Sequence, residues 1–190
     1  MTINDALTNV REVSPTPETT PHLLPLSNEP LSTELWTYGE TILHALKAKK
    51  QTLCFAESCT AGMACFGIAA IPGASAILKG SLVAYDEAIK SHLLGVDPRI
   101  IAHFGVVSRQ TALAMALGAQ HLFQTHYSVA TTGYAGPTGG DAHATLGTVC
   151  FAITSSDGAH SAFLRQFCGS RIEIIQQAVA FILMKLSKIV

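Results

Sequence analysis

The stretch Gln51-Thr52-Leu53-Cys54-Phe55-Ala56-Glu57-Ser58-Cys59-Thr60-Ala61-Gly62-Met63-Ala64-Cys65-Phe66-Gly67-Ile68-Ala69-Ala70 decides the fold. Gln51 to Ala56 reads as a short buried strand, and Ala61 to Ala70, small and apolar, reads as a helix. Between them, Glu57-Ser58-Cys59-Thr60 makes a sharp strand-to-helix turn. A strand feeding directly into a helix is the opening unit of an α/β protein.

The flanking sequence continues the alternation. Ser32-Thr33-Glu34 is a helix start, followed by Leu35, Ile42, Leu43 and Leu46 at helical spacing. Pro72-Gly73 marks a turn, and Gly80 to Tyr85 reads as a second strand. Asp86 to Leu94 is a helix stopped by Gly95, and Asp97-Pro98 caps and begins the next one. Ser108 to Gln124 is a helix with Ala112, Met115, Ala116 and Ala119 on one stripe. Tyr127 to Thr131 is a strand leading into the glycine-rich loop Thr132–Gly140. Thr148 to Thr154 and Ala162 to Phe167 form a hairpin around Asp157-Gly158, and Arg171 to Lys188 is a closing helix. The expected fold is a three-layer α/β/α domain, with a mixed, mostly parallel sheet flanked by helices.

Five of the eight prolines, Pro15, Pro17, Pro21, Pro25 and Pro30, fall in the first 30 residues. Residues 1–32 are therefore expected to be a disordered leader, and residues 33–190 a single domain. The start Met1-Thr2-Ile3-Asn4-Asp5 lacks the basic and apolar signature of a secretion signal, and no apolar run reaches the ~20 residues that cross a bilayer. A cytoplasmic location without a membrane partner is the expectation. A hydrophobic share of 48% with only 13% charged residues suits a sheet buried on both faces, or an oligomer, for which a dimer is expected.

A net charge of −1 with 12 basic residues leaves no electrostatic footprint for nucleic acid. The single cluster, Lys47, Lys49 and Lys50, sits at a helix end, where positive charge complements the helix dipole. Five cysteines without a CxxC pair fit neither a disulfide framework nor a zinc site, and no metal or cofactor is expected.

Ser58 has two readings. As a helix N-cap it would satisfy orphan amides; as a nucleophile it would face a crevice beside those amides. Thr60 could take the capping role and free Ser58. A serine nucleophile needs a base. His121 and His126 lie on or near a packed helix and His143 lies in a loop, so none has a compelling place. Between Gln51 and Cys168 the only lysines are Lys79 and Lys90. Lys90 is either a solvated helix lysine or, if buried, an amine with a lowered pKa able to accept the serine proton. The glycine-rich loop offers amides to a phosphate but matches neither the P-loop nor the dinucleotide fingerprint.

Taken in order, the motifs resemble the C-terminal domain of the CinA family. Ala56-Glu57-Ser58-Cys59-Thr60-Ala61-Gly62 is similar to AESCTGG, and Pro72-Gly73-Ala74-Ser75 to PGSS. Tyr85-Asp86-Glu87-Ala88-Ile89-Lys90 is similar to YSNEAK, Gly105-Val106-Val107-Ser108 to GAVS, Thr132-Gly133-Tyr134-Ala135-Gly136-Pro137 to TGIAGP, and Gly147-Thr148-Val149 to GTV. The stand-alone members of that family are nicotinamide-nucleotide amidases, which hydrolyse nicotinamide mononucleotide to nicotinate mononucleotide and ammonia in NAD salvage. The resemblance therefore implies a hydrolase acting on a pyridine nucleotide through a Ser-Lys dyad. Ser58 would be the nucleophile, Lys90 the base, and Tyr85 a neighbour that tunes or relays the proton. Backbone amides of Cys59, Thr60, Ala61 and Gly62 would hold the oxyanion. Thr132, Gly133 and Gly136 would border the nucleotide, and Arg171 would contact a phosphate or the neighbouring subunit. The family often fuses this domain to a molybdopterin-binding-like one, which is not expected within these 190 residues.

Ala61 replaces a family glycine, Ala144-Thr145 stands where many relatives carry Lys-Pro, and Ser170 and Ile175 replace the acid and second arginine of GDRxxxR. Each charge-assisted contact contributes roughly 1.5–3 kcal/mol, so losing two cations weakens any hold on a phosphate. The alternative function is accordingly a catalytically weak or inactive member that binds a nucleotide or a partner.

Overall fold

The apolar stretch becomes the central strand of the sheet, β1 (Leu53–Glu57), buried at all five positions. A computed structural model describes residues 32–190 of the chain. The expected leader therefore lies outside the described residues, except Ser32, which N-caps the first helix through a hydrogen bond from the Leu35 amide. That helix is α1 (Thr33–Ala48), and after β1 come α2 (Met63–Ala69), a short 3₁₀ turn, and β2 (Leu78–Val83). Then follow α3 (Glu87–Leu94), α4 (Pro98–Phe104), α5 (Arg109–Phe123), β3 (Tyr127–Gly133), β4 (Thr148–Ser155), β5 (His160–Gln166) and α6 (Arg171–Ser187).

The five strands lie in the order β2-β1-β3-β4-β5. β1 pairs in parallel with β2 on one side and β3 on the other, while β4 and β5 join antiparallel. Glu57 at the end of β1 is in register with Val83 and Thr131, so the carboxyl ends of the three parallel strands share one edge. That edge is where an open α/β sheet forms its crevice.

Side chains alternate across the sheet, and each face meets three helices. Leu53, Phe55, Phe151 and Ile153 pack with Ile42, Leu46, Ile68 and Ile182, residues of α1, α2 and α6. Cys54, Ala56, Ala130 and Ala152 pack with Leu94, Ile100, Leu113 and Ala116, residues of α3, α4 and α5. The expected three-layer α/β/α arrangement with a mixed sheet, parallel at its centre, is thus what forms. Burying a side chain such as Phe55 contributes roughly 1.5–3 kcal/mol, so these two cores are the main source of stability. The small residues on the second face let α5 lie close. At Gly118 even a Cβ would sit 1.8 Å from the Leu94 carbonyl oxygen, so glycine is the only residue that fits. No helix among the described residues is long and apolar enough to cross a membrane.

Of the boundaries that differ from the sequence reading, three shape the carboxyl edge of the sheet, and each has a local cause. β2 runs Leu78–Val83 instead of Gly80 to Tyr85, because Asp86 caps α3 and the chain must leave the sheet to reach it. Tyr85 therefore sits in the connection. α2 begins at Met63, since Ala61 (φ 49°) and Gly62 (φ 97°) take left-handed conformations that reverse the chain first. β3 continues to Gly133, so Thr132 and Gly133 belong to the strand, paired with Cys150 and Val149, and not to the loop.

Candidate active site

Ser58 follows β1 directly, and its amide donates to the Thr131 carbonyl (3.0 Å), extending the sheet by one bond. It does not cap α2. The first amides of that turn and helix, from Gly62 (2.9 Å), Ala64 (3.1 Å) and Cys65 (2.9 Å), donate to the carboxylate of Glu57. Thr60 Oγ1 (2.7 Å) and Ser81 Oγ (3.3 Å) donate to it as well. The expected capping by Ser58 or Thr60 is thus replaced by an acid, which no functional expectation included. A full negative charge at a helix N-terminus meets both the orphan amides and the dipole, which a hydroxyl does less well. Glu57 is fully buried, and a buried carboxylate needs this many donors. The consequence for Ser58 is freedom: its hydroxyl is released from helix capping.

That hydroxyl meets Lys90. α3 is fixed at its start by Asp86, whose Oδ1 accepts from the Ala88 amide (2.8 Å), and at its end by Gly95. Lys90 is on the inward face of this helix and only 1% exposed. Its Nζ lies 3.2 Å from Ser58 Oγ, 2.8 Å from the Ala84 carbonyl and 2.9 Å from the Tyr85 carbonyl. Burial pushes the Lys90 amine below the ordinary lysine value, while the charges of Glu87 and Asp86 oppose this. A neutral amine has two N–H donors and one lone pair. As an ammonium, Nζ donates to Ser58 Oγ and to both carbonyls; in the neutral form the carbonyls would take the two donors and the lone pair would face Ser58 Oγ. The solvated reading of Lys90 is overturned by its burial.

A cavity of about 330 Å³ opens at the carboxyl edge of the sheet. Ser58, Cys59, Tyr85, Lys90, Thr132, Gly133, Gly136 and Arg171 all line it. Thr60, Ala61 and Gly62 do not. The amides of Ala61 and Gly62 are moreover committed to the Ser58 carbonyl (3.1 Å) and to Glu57. Of the four amides expected to hold an oxyanion, the Cys59 amide is the one whose residue faces the cavity. Tyr85 also differs from expectation. Its carbonyl contacts Lys90, but its phenol oxygen accepts from Arg171 Nη2 (2.8 Å), and the Arg171 Nη1 donates to the Gly136 carbonyl. The hydroxyl is thus partnered by Arg171, while it is the Tyr85 carbonyl that meets the Lys90 amine.

Tyr134, Ala135, Thr138 and Gly139, from the Gly133–Gly140 loop expected to border a nucleotide, also line it, and Glu87, Val106 and Val107 complete the walls without having been singled out in the sequence. Thr132 Oγ1 donates to the Val106 carbonyl (2.9 Å), which joins β3 to the turn before α5. The glycine-rich loop is organised by Asp141: Tyr134 Oη donates to Oδ2 (2.9 Å), while the His143 and Ala144 amides donate to Oδ1 (2.7 and 2.8 Å). The Cys59 thiol, raised to about 12 chiefly by burial, stays protonated at neutral pH. None of the described histidines lines the cavity; His126 Nδ1 instead accepts from the Thr52 amide (3.1 Å). Among the described residues, no cluster of His, Cys, Asp or Glu could hold a metal ion.

The departures are accommodated structurally. Ile175 is buried in the core under α6, and the Ser170 amide and hydroxyl donate to Glu173 Oε2 (2.7 and 2.8 Å), within the first turn of that helix.

Residues 37–190 match the family model of the CinA C-terminal domain. The chain is 42% identical over 123 residues to a CinA-like protein of Fervidobacterium nodosum, covering 65% of this chain and 30% of that protein. A CinA-like protein of Mycobacterium leprae is 43% identical over 119 residues, covering 63% and 27%. The chain thus spans about three-tenths of the length of the curated relatives it matches. Among solved structures, the competence/damage-inducible protein CihA of Agrobacterium tumefaciens superposes with a TM-score of 0.80 at 32% identity, covering 83% of this chain and 96% of that one. A competence-damaged superfamily protein of Escherichia coli gives 0.80 at 26% identity, covering 89% and 96%.

Proposed function

The chain belongs to the CinA C-terminal domain family, and on that premise we propose that it is an amidohydrolase converting nicotinamide mononucleotide to nicotinate mononucleotide and ammonia. The observation that carries the reading is the buried Lys90 Nζ, 3.2 Å from Ser58 Oγ and held by two carbonyls.

In the proposed mechanism the Ser58 oxygen attacks the amide carbon as its proton passes to the neutral Lys90 amine. The tetrahedral oxyanion is held by the Cys59 amide, in the manner of a residue that follows a nucleophile at a strand-to-helix turn. Lys90, now an ammonium, returns the proton to the departing nitrogen, and ammonia leaves an ester on Ser58. Water, deprotonated by the same amine, then releases the carboxylate and restores the serine. The sum is amide plus water to carboxylate plus ammonium, with no redox change. A cavity of about 330 Å³ lies at the lower end of the range for small-molecule sites.

The test is ammonia release from nicotinamide mononucleotide by wild type and Ser58→Ala, side by side. Release by wild type alone, with the variant at least about 10³-fold slower, supports the amidase and its nucleophile. Equal release by both removes Ser58 from the reaction. The second reading, a nucleotide-binding module without turnover, is favoured by one observation: Arg171 is already engaged with Tyr85 and Gly136, and Ile175 is apolar. Binding without release by wild type would establish it.

A further inference from the structure

Glu87 lines the cavity wall beside the dyad, and nothing in the proposed reaction uses it. It is the first residue of α3, three before Lys90, so the two side chains share one helix face. Its charge is felt on both sides of the cavity. It opposes the burial-driven fall of the Lys90 pKa, and it adds to the rise of the Tyr134 phenol, which burial and then Asp141 push to about 12. Among the described residues its carboxylate makes no ion pair and no hydrogen bond. A first-turn acid does complement the helix dipole, but Asp86 already caps this helix.

Charge is therefore divided across the cavity: a carboxylate one turn from the dyad, and the Arg171 guanidinium at the start of α6. Ser58, Glu87 and Tyr134 line the same cavity, so a ring whose amide is placed against Ser58 shares that space with the Glu87 carboxylate. We propose that Glu87 is a specificity-determining residue that selects amides borne on a permanently cationic aromatic ring, over the same amide on an uncharged ring. This rests on the amidase reading and deepens it: the substrate class becomes the pyridinium amide, with Tyr134 as the aromatic neighbour on which such a cation can lie.

The experiment measures binding in the Ser58→Ala protein, so turnover does not intervene. The probes are nicotinamide mononucleotide and its ring-reduced dihydro form, which carry the same amide, ribose and phosphate but differ in ring charge. Glu87→Asn, in that background, is expected to weaken the cationic ligand about three- to fivefold and leave the reduced one within about twofold. Glu87→Gln, close in size, is expected to do the same and guards against a folding defect in the first variant. An unchanged preference between the two ligands, or an equal loss for both, overturns the assignment and leaves Glu87 as a helix-terminal charge. Failure of both ligands to bind the Ser58→Ala protein would remove the amidase reading, and this inference with it. Binding of both with an unaltered preference would remove this inference alone.

Discussion

The cavity has two unlike walls. On the strand side, Ser58, Cys59 and Lys90 line it and are buried, the Lys90 amine is held by partners within the protein, and behind them, off the cavity, lies the fully buried and hydrogen-bonded carboxylate of Glu57. On the loop side, Thr138, Gly139, Asp141 and Arg171 are exposed, and the wall is held by a few side-chain contacts, those of Arg171, Asp141 and Tyr134. The strand wall carries the residues that match the family pattern. The departures Ala144-Thr145, Ser170 and Ile175 lie off the cavity lining, with Ala144 and Ile175 buried in the two cores. The contrast teaches that desolvation can tune an amine on the strand wall, while exposed side chains on the loop wall can change without breaking a core.

The contrast would break most visibly at Lys90. Lys90→Met keeps the length and apolar stem, and is expected to lower ammonia release at least about 10²-fold. Wild-type activity should rise with pH as the amine loses its proton, at a pKa below the ordinary lysine value, and the variant's residual rate should lack that limb. The sign for stability is the same. Between the lowered and the ordinary value the unfolded chain binds more protons than the folded one, so wild type gains stability as pH rises through that window. Denaturant midpoints measured across it should climb for wild type and stay flatter for Lys90→Met.

Next comes Glu57→Gln, which turns one acceptor oxygen into an amide NH2 that faces protein donors. A loss of about 2–4 kcal/mol is expected, read as a lower denaturant midpoint. If Ser58 is positioned by this cap, kcat should fall more than KM rises. A full-strength, fully active variant would mean that the strand wall does not depend on its buried acid.

On the other wall, Arg171→Met is expected to raise KM roughly tenfold while kcat changes less than about threefold, consistent with a lost charge-assisted contact. The reverse split would assign Arg171 to the chemistry and erase the distinction between the walls. The smallest effect is expected at Ala61→Gly. Ala61 holds a left-handed φ of 49°, which costs an alanine about 1 kcal/mol, so glycine should raise stability by about 0.5–1 kcal/mol in a thermal or denaturant melt. No gain would show that the reversal before α2 is unstrained.

Local rules made much of the fold legible. Ser32, Asp86, Asp97 and Ser108 cap their helices as their types suggest, and Gly95 ends α3 in the left-handed conformation. The dyad became legible through family resemblance, because helical periodicity cannot tell that the crevice above α3 is closed and Lys90 buried. Glu57 was hidden as a cap, since its donors lie beyond a left-handed reversal and, for Ser81, on another strand. The Arg171–Tyr85 contact spans 86 residues and leaves no local trace. Glu87 escaped because an acid opening a helix reads as dipole complement whether or not a cavity lies beside it.

The carboxylate of Glu57 ties the end of β1, the first turn of α2 and, through Ser81, the edge strand β2 into one cooperative piece. That piece has no cheap way to fray. Separating any two of its parts strands a buried charge, so local opening there approaches the cost of unfolding the whole domain. Motion at the cavity is therefore left to the opposite rim, and Ser58, hydrogen-bonded through its amide to Thr131, keeps a fixed address whatever that rim is doing.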